Sequence, residues 1–87
     1  MKRSYNSLKL RALSAFESRD WLSPRTWARI TRFKPVRAAY SYLKRLYRWK
    51  LLERAFDSRG LLVYRLSVRG ASRLDWLRKK DAHADWL

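Results

Sequence analysis

The stretch PVRAAYSYLKRLYRWKLLERAFDSRGLLVYRLSVRG, residues 35–70, changes its hydrophobic period twice. Val36, Ala39, Leu43 and Leu46 are spaced three, four and three apart, which at about 100° per residue places them on one stripe of a helix. Arg37, Ser41, Lys44, Arg45 and Arg48 fall on the opposite stripe. Beyond Lys50 the pattern becomes extended. Residues 51–56 and 61–68 are rich in apolar and β-prone types, and Leu62, Tyr64 and Leu66 alternate onto one face that should meet the core. The link Asp57-Ser58-Arg59-Gly60 is hairpin chemistry, with a glycine available for a positive φ. Ser67 then offers an N-cap to a closing helix whose Leu74 and Leu77 point inward.

Working outward toward the N-terminus, Asn6 or Ser7 can cap a first helix over 7–18 that carries Leu8, Ala12, Leu13, Ala15 and Phe16. Trp21-Leu22 reads as a minimal strand. Ser23-Pro24 is a capping residue followed by proline at the first helical position, where its missing N–H costs nothing. A second helix over 24–32 should bury Trp27, Ala28 and Ile30 or Thr31, with Phe33 anchoring the turn. Pro35 starts the third helix, 35–49, and Lys34 falls at its cap position. Lysine cannot cap, so free backbone N–H groups beside a positive side chain would suit a phosphate there. The order is helix, helix, helix, hairpin, helix. It predicts an α+β, mainly α chain, residues 1–87 as a single winged helix-turn-helix domain, with a three-helix core, a two-stranded wing over 51–68 and a C-terminal helix over 68–85.

Charge narrows the partners. The 87 residues hold 22 Lys or Arg against 7 Asp or Glu, a net charge of +15 that self-repels until a polyanion neutralises it. Between Trp21 and Leu52 there are nine Lys or Arg and no carboxylate. The basic stripe of the third helix therefore has no acid at the i+3 or i+4 positions to neutralise it. Arg forms two parallel hydrogen bonds to guanine, and Ser reads base edges or phosphates without strong preference. Tyr42 is expected to reach a phosphate or ribose, with Tyr40 and Tyr47 partly in the core, and core or rim packing is the alternative for each of the three. Arg54, Arg59 and Arg65 are left around the hairpin, and Arg59 at its tip is placed to enter a minor groove.

Other chemistries are poorly supplied. With 0 Cys and one histidine, His83, the chain offers no disulfide framework, thiolate metal site or His-based nucleophile, so no enzyme, metal or cofactor is expected. The longest apolar run, Leu61-Leu62-Val63-Tyr64, falls far short of a membrane span. Residues 1–16 have the composition of a transit peptide but serve equally as the first helix.

The run from Ala39 to Gly70 resembles the recognition helix and wing of bacterial and archaeal regulators of the PadR, MarR and ArsR kind. In those proteins a helix ending Leu-x-x-Leu-x-x-x-Gly-Leu leads into a hairpin and then Tyr-x-Leu-Thr-x-x-Gly. Leu43, Leu46 and Leu51 match the first motif, and Tyr64, Leu66, Ser67 and Gly70 match the second. SPRTWARI, residues 23–30, is similar to the preceding helix, and the resemblance covers about residues 7–78. Lys50 and Arg32 stand where the family has glycine, so each should turn left-handed or extend its helix. The long flanking helices that build MarR and PadR dimers are not evident.

The resemblance implies DNA binding through the third helix and the wing by a transcriptional regulator, usually a dimer. The expected DNA contacts are Arg25, Lys34, Arg37, Ser41, Tyr42, Lys44, Arg45, Arg48, Arg59 and Arg65. Trp76, Trp86 and Leu87 are surplus to so small a core, and a homodimer contact is expected of them; the alternative is that Trp76 and Trp86 fold back against the first helix and finish a monomer core. The expected partner is double-stranded DNA in a cytoplasmic, nucleoid-associated setting, with no membrane and no small-molecule ligand. Non-specific or architectural nucleic-acid binding, RNA included, and a winged helix used for protein interaction are the alternatives.

Overall fold

The computed structural model describes residues 5–17 and 19–84, and the side chains of 7–17 and 19–80. Its elements are α1 (Tyr5–Ser14), α2 (Pro24–Thr31), α3 (Val36–Arg48), β1 (Leu52–Phe56), β2 (Leu62–Leu66) and α4 (Val68–Ala84). β1 and β2 form an antiparallel hairpin in which Leu52 faces Leu66 and Phe56 faces Leu62. Leu22 adds a single bridge to Tyr64, with reciprocal backbone bonds of 2.8 Å, so the expected minimal strand is present.

Two helix starts differ from expectation. α1 already includes Asn6 and Ser7, so neither is its cap, and it stops at Ser14 instead of running on to residue 18. The Ser14 hydroxyl donates to the Leu10 carbonyl at 2.7 Å, and the chain then tightens into three-residue bonds from Phe16 N–H to Leu13 and from Glu17 N–H to Ser14. In α3 the capping residue is Pro35 and not Lys34. Its ψ of 163° is extended, and its carbonyl accepts the first turn's bond from Ala38 N–H at 3.0 Å. The Lys34-Pro35 peptide is cis. α2 begins as expected: Ser23 Oγ accepts from Thr26 N–H at 3.2 Å and Pro24 follows in the first turn.

The core lies where the three N-terminal helices meet the hairpin. Leu13, Trp27, Ala39, Leu43 and Leu46 are fully buried, joined by Phe16, Leu22, Leu52 and Tyr64, with Leu74 and Leu77 closing it from α4. Thr31 is the buried choice at the end of α2, its hydroxyl donating to the Trp27 carbonyl at 2.9 Å, while Ile30 is exposed. Trp27 Nε1 donates to the Ala12 carbonyl at 3.0 Å and ties α2 to α1.

The turns on either side of α3 are left-handed at side-chain-bearing residues. Arg32 has φ 59° and Lys50 has φ 67°, so both positions adopt the geometry that glycine would take, not an extended helix. Beyond Lys50, the Ser67 hydroxyl donates to the Lys50 carbonyl at 2.6 Å and accepts from Gly70 N–H at 2.9 Å, capping α4 and clamping it to the end of α3. Gly70 is required by this clamp. A Cβ there would stand 1.9 Å from the Leu51 carbonyl oxygen, a backbone atom that cannot move aside without opening the turn. Gly70→Ala should lower the urea midpoint by an amount equivalent to about 1 to 3 kcal/mol, the range for forced overpacking. An unchanged midpoint would contradict the close approach.

Candidate nucleic-acid interface

The outward face of α3 is set by what its inward face packs against. Ala39, Tyr42, Leu43 and Leu46 are the buried positions. Their centre lies about half a turn from the line through Arg37, Ser41, Lys44, Arg45 and Arg48, at roughly 100° per residue. All five of those side chains are exposed, and no carboxylate lies on α3. The stripe read from sequence is therefore a continuous surface of donors.

Rotation about the helix axis decides the three flanking tyrosines, two of them against expectation. Tyr42 is 7% exposed, with its ring stacked 5.9 Å from Trp27 and 5.4 Å from Phe33, so it is a core residue and not a phosphate contact. Tyr40, expected partly in the core, is exposed, and so is Val36 in the first turn. The cause is the position of α2: its Trp27 takes up the side of α3 on which Tyr42 lies and leaves the side of Val36 and Tyr40 to solvent. Tyr47 is half-buried against the core, as expected.

Arg25 on α2 and Lys34 in the turn are exposed on the two segments that precede α3. The first turn of α3 has no side-chain cap, and no acid lies in it. Arg59 is exposed in the hairpin turn, which Asp57 organises: its Oδ1 accepts from Arg59 N–H at 2.8 Å and from Leu61 N–H at 2.9 Å. Gly60 supplies the positive φ, 82°. Beside the turn, Phe56 is 73% exposed, an apolar flank that alternation alone would have turned toward the core. Arg65 is differently placed from the other basic residues. Its Nε donates to Glu53 at 2.8 Å, Asp20 lies 3.6 Å away, and its guanidinium covers the Trp21 ring at 4.6 Å. It braces the base of the hairpin, and its charge is already shared.

Trp76 on α4 is exposed, with Arg73 and Lys80 each 5.1 Å from its ring. Trp86 and Leu87, the other expected dimer contacts, lie outside the described residues. Among the described residues there is no cluster of His, Cys, Asp or Glu able to hold a metal ion, and no helix is long and apolar enough to cross a membrane.

No family model and no curated protein matches the sequence. Solved structures do match. The oxidized form of MarR from E. coli superposes with a TM-score of 0.77 at 20% identity, over 91% of this chain and 59% of that one. MepR, a transcription regulator of the Staphylococcus aureus multidrug efflux pump MepA, superposes at 0.74 with 17% identity, over 93% of this chain and 58% of that one. The chain has the winged helix-turn-helix fold. It spans less than two thirds of the length of either protein.

The wing turn carries a pH dependence whose sign follows from its bonds. Hydrogen bonds from Leu61 N–H, and then from Arg59 N–H, hold the Asp57 carboxyl below its ordinary value of 3.8. A depressed folded-state value gives stabilisation that is complete above the ordinary value and is lost as pH falls through the folded one. The amide resonances of Arg59 and Leu61 should therefore titrate together with a midpoint below 3.8 and should not titrate in Asp57→Ala. A midpoint at or above that value would contradict the bonded turn.

Proposed function

We propose that the chain binds double-stranded DNA sequence-specifically as a small transcriptional regulator, with α3 in the major groove and the hairpin on the adjacent minor groove or backbone. The observation that carries this reading is the exposed row Arg37, Ser41, Lys44, Arg45 and Arg48, uninterrupted by any acid, on a helix whose other side is core. A major groove about 12 Å wide admits one α-helix, and arginines along its outer face meet guanine edges two bonds at a time. Arg25, Lys34 and the uncapped first turn of α3 supply phosphate contacts that set register, and Arg59 supplies the wing's contact. The likeness to MepR, described as a transcription regulator, supports the same role.

Tyr42 contributes through the core and Arg65 through the brace at the hairpin base. At Trp76, one of the three residues of the expected dimer contact, Arg73 and Lys80 flank the ring, and two copies meeting there would bring these cations together.

Selection from a random duplex library at near-physiological salt should return a motif. On that motif, Arg45→Ala should cost about 1 to 3 kcal/mol and relax preference at one base pair. With about five to seven phosphates neutralised, log K against log salt should have a slope of about −4.5 to −6. Double-stranded RNA, whose deep major groove is too narrow for a helix, should compete poorly. Recovery of no motif, with equal loss on every sequence in Arg45→Ala, would reduce the protein to a non-specific binder.

A further inference from the structure

A second basic surface runs away from α3, behind its C-terminal end. Three cavities of 430, 320 and 430 Å³ follow one another across the α3–β1 turn and the start of α4. They share walls: Arg48 and Lys50 line the first and second, Arg69 and Arg73 the second and third. Together they form a run of shallow depressions, open to solvent, that adjoin through these shared basic walls; this run is the groove. Among its described lining residues the sole carboxylate is Glu53, which is bonded to Arg65 at 2.8 Å.

Aromatic rings are spaced along this groove, each with a cation over it. The Arg54 guanidinium lies 4.2 Å from the Tyr47 ring, Lys9 Nζ lies 4.7 Å from Trp49, and Arg73 and Lys80 lie 5.1 Å from Trp76. Trp49 is 40% exposed and Trp76 46% exposed. The cations put positive charge beside each ring.

The geometry points to a binding groove for single-stranded nucleic acid, separate from the duplex-reading face of α3 and touching it at Arg48. Unpaired bases have free π-faces to stack against the exposed ring of Trp76, while the neighbouring phosphates meet Arg48, Lys50, Arg69 and Arg73. A duplex cannot use this ring, because its bases are already stacked on each other. An anionic membrane also attracts Trp beside Arg and Lys, but it needs a convex apolar face. Here the rings are separated by cations and set along a string of concavities. The site does not depend on the duplex reading.

The test uses the full chain and fluorescein-labelled dT12, with an abasic strand of equal length, a blunt duplex and phosphatidylglycerol vesicles as comparators. Binding of dT12 should quench tryptophan emission. The abasic strand should bind at least about 5-fold more weakly, since each stacked base contributes a factor of roughly 5 to 150. Trp76→Ala, at an exposed position, should keep its circular dichroism and its duplex affinity while losing about 5-fold or more on dT12. Arg69→Ala with Arg73→Ala should weaken dT12 and lower its salt slope. Equal affinity for dT12 and the abasic strand, or an unchanged dT12 affinity in Trp76→Ala, would overturn the proposal. So would vesicle binding that is lost in Trp76→Ala while dT12 binding is retained. Failure of the duplex reading would look different: no preferred duplex motif, with base-dependent dT12 binding intact.

Discussion

The indole of Trp27 lies fully buried, donates to the Ala12 carbonyl at 3.0 Å and rests against both Phe33 and Tyr42, so a single side chain touches α1, the turn after α2, and α3. Truncating a buried tryptophan costs about 3 to 5 kcal/mol, a large share of the stability of a small domain. The geometric consequence matters more for function. With Tyr42 drawn in against Trp27, α3 has one rotation that also buries Ala39, Leu43 and Leu46, and that rotation presents Arg37, Lys44, Arg45 and Arg48 to solvent. The core therefore aims the basic face.

A second constraint fixes what stands beside that face. The α3 carbonyls end at a left-handed Lys50, whose own carbonyl accepts from Ser67, and Ser67 in turn caps α4 at Gly70. The hairpin is the excursion between these two anchored points, so its position relative to α3 is set at its base. Arg65, held between Glu53 and Asp20, stiffens the same base. Arg78 of α4 forks onto Glu17 just beyond α1, adding an exposed ion pair whose worth is modest.

Much of this was legible in the residues because the signals were local. Ser23-Pro24, the change of period after Lys50, the Asp57 to Gly60 turn and the Ser67 cap each depend on a few adjacent residues. Gly70 was visible as part of a motif, and its reason, an oxygen 1.9 Å from where a Cβ would stand, lies in a contact with a residue 19 positions earlier (70 − 51). Failures came where tertiary contacts decided. Tyr40 and Tyr42 have the same chemistry and flank the same stripe, and only the location of Trp27 on a neighbouring helix tells them apart. The groove along Arg48, Lys50, Arg69 and Arg73 joins two elements through a turn, so no periodicity within one element reveals it. An i, i+4 pair of arginines on α4 with no acid in its first turn was the one signal available.

The central claim is that the outward side of α3 is a duplex-binding face. Amide and arginine side-chain NMR shifts, followed as a duplex is titrated into the labelled protein, test this most directly. The account predicts the largest perturbations at Arg37, Ser41, Lys44, Arg45 and Arg48, with a second set at Arg59 and its turn neighbours and little change at Tyr42 or Leu43. Perturbations confined to α4, with α3 and the wing turn unmoved, would contradict it.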